Sequence, residues 1–219
     1  MFKYIFIILI LTACGIDSQE SNLDLINGTP ANIPQIVRVI NVNAGAACTA
    51  TIVGKRVILT AGHCASTGQT MRFNGVTARM TRSPIFPAQD HDISLGVVAA
   101  DLPVNPATIS TARVNVGQQV ILTGFGCTRP GGGGGNDGIL RIGRSQIIGF
   151  RGFNFVTRNG AALCFGDSGG PAILNGRVVG VNSQGNIQTT SFLTRLDTQA
   201  SRDFIKAFER QNSVDILGL

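Results

Sequence analysis

Gly166-Asp167-Ser168-Gly169-Gly170-Pro171 is the most informative hexapeptide of the chain. A serine hydroxyl becomes a useful nucleophile when a base lies within hydrogen-bond reach, a carboxylate orients that base, and donors await the oxyanion. The glycines let the backbone turn sharply, so that successive N–H groups converge on one point. Ser168 is therefore the candidate nucleophile, and the N–H groups of Gly166 and Ser168 are the candidate oxyanion donors. The base must be one of two histidines, His63 or His91, and both precede Ser168.

The hexapeptide also satisfies G-x-S-x-G, the elbow of α/β-hydrolases, but in that fold the histidine follows the serine. Chain order excludes it here. The order histidine, aspartate, serine is that of the chymotrypsin architecture. Thr60-Ala61-Gly62-His63-Cys64 resembles the TAAHC motif of trypsin and chymotrypsin relatives. Asp92-Ile93-Ser94-Leu95 resembles their DIxL motif, and residues 166–171 are their GDSGGP unchanged. The resemblance implies an all-β fold of two antiparallel six-stranded barrels with a C-terminal helix. It also implies a serine endopeptidase with His63 as general base and then acid, Asp92 as the carboxylate orienting it, and Ser168 as nucleophile. His91 lacks the motif and sits in a polar loop; Asp90 does not open the apolar Ile-x-Leu run as Asp92 does.

Composition agrees with this class. Short runs rich in Val, Ile and Thr, with 28 glycines, point to strands and tight turns. Thr49–Val53 and Val57–Ala61 are expected to form a hairpin about Gly54-Lys55 that delivers His63 at its end. The expected organisation is a first barrel at 25–110, a second at 111–196, and a helix and tail at 197–219. Pro103–Pro106 is the linker and 130–138 a flexible loop. In Asp197–Gln211, Asp197 is the expected cap and Ala200, Phe204, Ile205 and Phe208 form one apolar stripe. The net charge of +6 comes from scattered arginines, and with no Trp and one Tyr a nucleic-acid stacking platform is not expected. Two histidines and no CxxC argue against a zinc site, and no cofactor is expected.

Residues 1–13 have the form of a signal peptide, with Lys3 before an apolar run from Ile5 to Leu11 that is too short to span a bilayer. Leu11-Thr12-Ala13-Cys14 resembles a bacterial lipobox, which implies a lipid on Cys14 and a polar tether over 14–24. Four cysteines then remain for an oxidising compartment: Cys48, Cys64, Cys127 and Cys164. The resemblance pairs Cys48 with Cys64, which leaves Cys127 with Cys164.

Further roles follow from the resemblance. Leu25-Ile26-Asn27-Gly28 is similar to the family's mature N-terminus, whose freed amine pairs with the aspartate before the nucleophile, here Asp167. A cut after Asp24 would activate the protease and release it from the envelope in one event. Ser183-Gln184-Gly185 resembles the strand that pairs with extended substrate, with Gln184 where relatives carry Trp. Ser183 is expected to hydrogen-bond Asp92. Ala162, six before Ser168, is expected at the base of the specificity pocket, with Gly185 and Ser191 in its walls. With no charge at that base, an apolar side chain before the scissile bond is expected. The expected partners are polypeptide substrates and a membrane through Cys14, with the chain a monomer. The rival is an inactive, protease-shaped surface lipoprotein that binds without cutting.

Overall fold

The structure, a computed structural model, describes residues 25–87, 91–135 and 137–219. The signal, Cys14 and Asp24 lie outside the described residues, as do Asp90 and Asn136.

Six strands close the first barrel: β2 (Ile36–Asn41), β3 (Ala47–Gly54), β4 (Val57–Thr60), β5 (Thr70–Phe73), β6 (Val76–Arg82) and β7 (Ser94–Val98). They run in the order β2-β3-β4-β7-β6-β5, all antiparallel. The second barrel uses β8 (Gln119–Gly124), β9 (Arg141–Arg151), β10 (Asn154–Arg158), β11 (Pro171–Leu174), β12 (Arg177–Gly185) and β13 (Ser191–Arg195). Its order is β9-β10-β13-β12-β11-β8, and β8 pairs back onto β9 to close the ring. The two barrels are those expected. The hairpin at Gly54-Lys55 is present as β3 and β4, with a bulge between Ile52 and Gly54.

Two details differ from expectation. Residues 25–30 belong with the second barrel, not the first. Strand β1 (Thr29–Pro30) pairs with β9, and Leu25 is fully buried with Val120, Leu122, Ile147 and Phe155. The helix α1 (Gln199–Asn212) is capped by Thr198, whose side chain accepts from the N–H of Ser201. Asp197 is instead held by Arg195, at 2.7 Å, and accepts from the N–H of Val114. The apolar stripe of α1 packs on the first barrel, where Phe204, Ile205 and Phe208 join Ile52, Leu59, Met80 and Leu95 in one core. Each such side chain contributes about 1.5–3 kcal/mol on burial. The tail continues this return, with Leu217 N–H donating to Val53 O in β3.

Candidate active site

The first barrel brings histidine and aspartate together through strand register. Strands β4 and β7 are antiparallel neighbours, with Thr60 opposite Ser94. The end of one therefore meets the start of the other, and the turn Gly62–Cys64 comes to rest against Asp92. His63 Nδ1 lies 2.7 Å from Asp92 Oδ2, and the His63 N–H donates to Oδ1 at 2.8 Å. Ser183 Oγ, on β12 of the other barrel, donates to Oδ2 at 2.6 Å. Asp92 is fully buried, whereas 36% of the His63 side chain is exposed. With Nδ1–H held by the carboxylate, Nε2 is the nitrogen left to accept a proton.

Ser168 sits in the turn that leads into β11. Thr49 of β3 grips this turn across the barrel boundary. Its N–H donates to Ser168 O (2.8 Å), its hydroxyl donates to Gly166 O (2.8 Å), and the same hydroxyl accepts from Phe125 N–H (3.2 Å). The approach is close enough that a Cβ on Gly169, at φ +86°, would stand 2.2 Å from Thr49 O. Within the turn, the N–H groups of Asp167, Gly169 and Gly170 donate to Cys164 O, Asn182 O and Asp167 O. Among the described residues, those of Gly166 and Ser168 enter no hydrogen bond within the chain.

Asp167, next to Ser168 in the chain, is fully buried. Its two oxygens accept from the N–H groups of Gly126 and Cys164, each at 2.8 Å. Burial nevertheless pushes its pKa up to about 7, against these bonds and the nearby charge of Arg141. Leu25 is buried in the core of the second barrel, and Ile26 O accepts from Ala162 N–H at 2.9 Å.

A cavity of about 380 Å³ opens at the barrel junction, lined by His63, Ser168, Ser183, Gln184 and Gly185 and by Leu163, Cys164, Phe165 and Ile187. Its lining thus holds both His63 and Ser168 and, His63 aside, no ionisable group. Two residues expected in the pocket are placed elsewhere. Ala162 is fully buried in an apolar cluster with Ile26, Cys127 and Cys164, against which Ile187 packs. Ser191 is also fully buried, its hydroxyl accepting from Leu163 N–H at 2.9 Å, so it braces the wall from behind. The disulfides Cys48–Cys64 and Cys127–Cys164 are both formed. Cys48, His63 and Cys64 lie close together, but the bridge removes the thiolates that a metal would need.

His91, set aside from catalysis, is fully buried beside Asp92. Its Nδ1 accepts from Ser83 Oγ (2.5 Å) and its Nε2–H donates to Ser201 Oγ (2.9 Å). Ser201 Oγ in turn donates to Arg195 O. This neutral imidazole pins the start of α1 to the segment carrying Asp92, and burial lowers its pKa from 6.5 to about 4. Thr49 and Ile187 are site residues that sequence reasoning did not single out, and His91, weighed there only as a rival base, has this structural role.

The trypsin family pattern matches residues 25–202, and the chain belongs to that family. A serine protease of Anopheles gambiae is 29% identical over 184 residues, 68% of this chain and 65% of that protein. Alkaline trypsin B of Manduca sexta is 31% identical over 177 residues, 64% of this chain and 69% of the insect protein. The chain thus spans 65% of the length of the mosquito protease. Among solved structures, human heparin binding protein superposes with a TM-score of 0.66 at 21% identity, over 83% of this chain and 95% of that one. That likeness concerns the fold alone.

Proposed function

We propose that this chain is a serine endopeptidase acting through an acyl-enzyme. The observation that carries this is the contact of His63 with buried Asp92, in the same cavity as Ser168. His63 Nε2 takes the proton of Ser168 Oγ as the oxygen attacks the peptide carbonyl. The oxyanion is received by the N–H groups of Gly166 and Ser168. His63 then gives its proton to the leaving amine, and water repeats the sequence to free the enzyme. Ser183-Gln184-Gly185 ends β12 at the cavity, where an extended polypeptide can add to it by backbone pairing. The uncharged lining supports an apolar residue before the scissile bond, in a monomeric enzyme.

The zymogen reading belongs to the same proposal. A cut between Asp24 and Leu25 frees an amine whose charge answers the buried Asp167 carboxyl. Export and a Cys14 lipid rest on the pattern of residues 1–14. The insect relatives give the bacterial envelope no support, and the proposal is a protease released from its N-terminal segment.

A fluorophosphonate probe, applied before and after processing beside a Ser168→Ala control, tests this. Labelling of Ser168 only after Leu25 is exposed is the expected result. Labelling before any cut keeps the protease and rejects the activation step. A folded, Leu25-exposed chain that never labels supports the rival binding protein.

A further inference from the structure

Residues 186–190 close β12 onto β13 in a loop organised by one side chain. Asn186 Oδ1 accepts from the N–H groups of Gln188 (3.1 Å), Thr189 (2.8 Å) and Thr190 (2.9 Å), and Asn186 N–H donates to Thr190 O (3.0 Å). This closure places Ile187 at φ 57°, in the left-handed region. A β-branched residue there costs on the order of 1–3 kcal/mol. A second bond fixes the same residue from another loop, with Gly131 N–H donating to Ile187 O at 3.1 Å. The strained residue is thus held from two separate loops.

Its side chain, half-buried, lines the cavity of His63 and Ser168 and rests on the cluster of Ile26, Cys127, Ala162 and Cys164. Ala162, the expected base, lies in that buried cluster, and the cluster meets the cavity at Cys164 and at the Ile187 side chain packed over it. We infer that Ile187 is the floor of the primary pocket. The enzyme therefore prefers a small apolar side chain, alanine or valine, to phenylalanine or tyrosine before the scissile bond. This rests on the peptidase proposal and narrows its substrate class.

The test substitutes Ile187→Gly. Glycine adopts φ 57° without penalty, so the loop keeps its path while the floor is removed. Matched peptide substrates with Ala, Val, Leu or Phe before the cleaved bond are compared by kcat/KM. A pocket distinguishes side chains by about 10–200-fold for each methylene. The wild type is expected to prefer Ala or Val over Phe by about 100-fold or more, and Ile187→Gly to raise the Phe-to-Ala ratio at least tenfold. A second readout needs no turnover: binding of product peptides ending in Ala or Phe to Ser168→Ala chains, with and without Ile187→Gly. Equal use of Phe and Ala by the wild type, or ratios unmoved by the substitution in both readouts, overturns the floor. A chain that binds the Ala peptide selectively, shifts on substitution, yet never labels with the probe, keeps the floor and sinks the peptidase proposal.

Discussion

Two buried groups of opposite sign should leave the uncleaved chain nearly indifferent to pH over a range where most proteins are not. His91 is neutral when folded and takes a proton only near pH 4, whereas the unfolded chain takes it near 6.5. The unfolded state binds more protons in between, so this histidine lowers stability as pH falls from 6.5 to about 4. At 1.36 kcal/mol per pH unit the loss totals about 3 kcal/mol. Asp167 works the other way. Its folded pKa stands near 7 against 3.8 unfolded, so the folded state binds the extra proton, and stability rises as pH falls from 7 towards 3.8. That gain totals about 4 kcal/mol. Between pH 6.5 and 4 the two contributions cancel to within about 1 kcal/mol. The assay is denaturant unfolding of the disulfide-intact chain with Ser168→Ala, at half-unit steps from pH 4 to 8. Adding Asp167→Asn should expose the histidine, with stability dropping by about 3 kcal/mol towards acid. Adding His91→Gln should expose the aspartate, with stability climbing by a similar amount. Vertical offsets from lost hydrogen bonds do not affect these slopes, and the remaining carboxylates are common to all three proteins. Three parallel curves would refute the assignment of buried neutral His91 and buried protonated Asp167.

Asp92→Asn should keep the fold and lower kcat by about 10⁴-fold, because the ring of His63 loses the acceptor that fixes its tautomer; kinetics on the processed enzyme check it. Thr49→Val preserves shape but strips the hydroxyl from Gly166 O and Phe125 N–H, which should cost about 1–3 kcal/mol in thermal unfolding and at least tenfold in kcat. Replacing both Cys127 and Cys164 by alanine removes a bridge between residues 37 apart. The chain-entropy relation gives a loss of about 4 kcal/mol, measured as a drop in denaturation midpoint at pH 7.

The barrels, the hairpin before His63 and the apolar stripe of α1 were legible because each rests on local spacing. Triad candidates were legible because their motifs carry their own context. What escaped the sequence depends on segments far apart. The role of Thr49 exists because β3 lies against a turn 117 residues away. Asp197 looked like a cap from its position, but Arg195 and the N–H of Val114 claim its oxygens, and Thr198 takes the capping role. Leu25 and Ile26 precede the first barrel in sequence yet bury themselves in the second. Counting back from Ser168 found Ala162, but no count reveals that Ile187 packs against its cluster and reaches the cavity, since a β-branched residue at positive φ contradicts local preference.

The grip of Thr49 on the Ser168 turn also says something about inheritance. Ser168 is borne by one barrel, but its loop is shaped by hydrogen bonds from a strand of the other. Neither barrel can be exchanged for that of a distant relative without carrying its neighbour's half of the joint. The hydroxyl at position 49 and the missing side chain at position 169 are both parts of this joint, and a graft onto a foreign barrel that lacked either would leave the junction without its hydrogen bonds or without room to close.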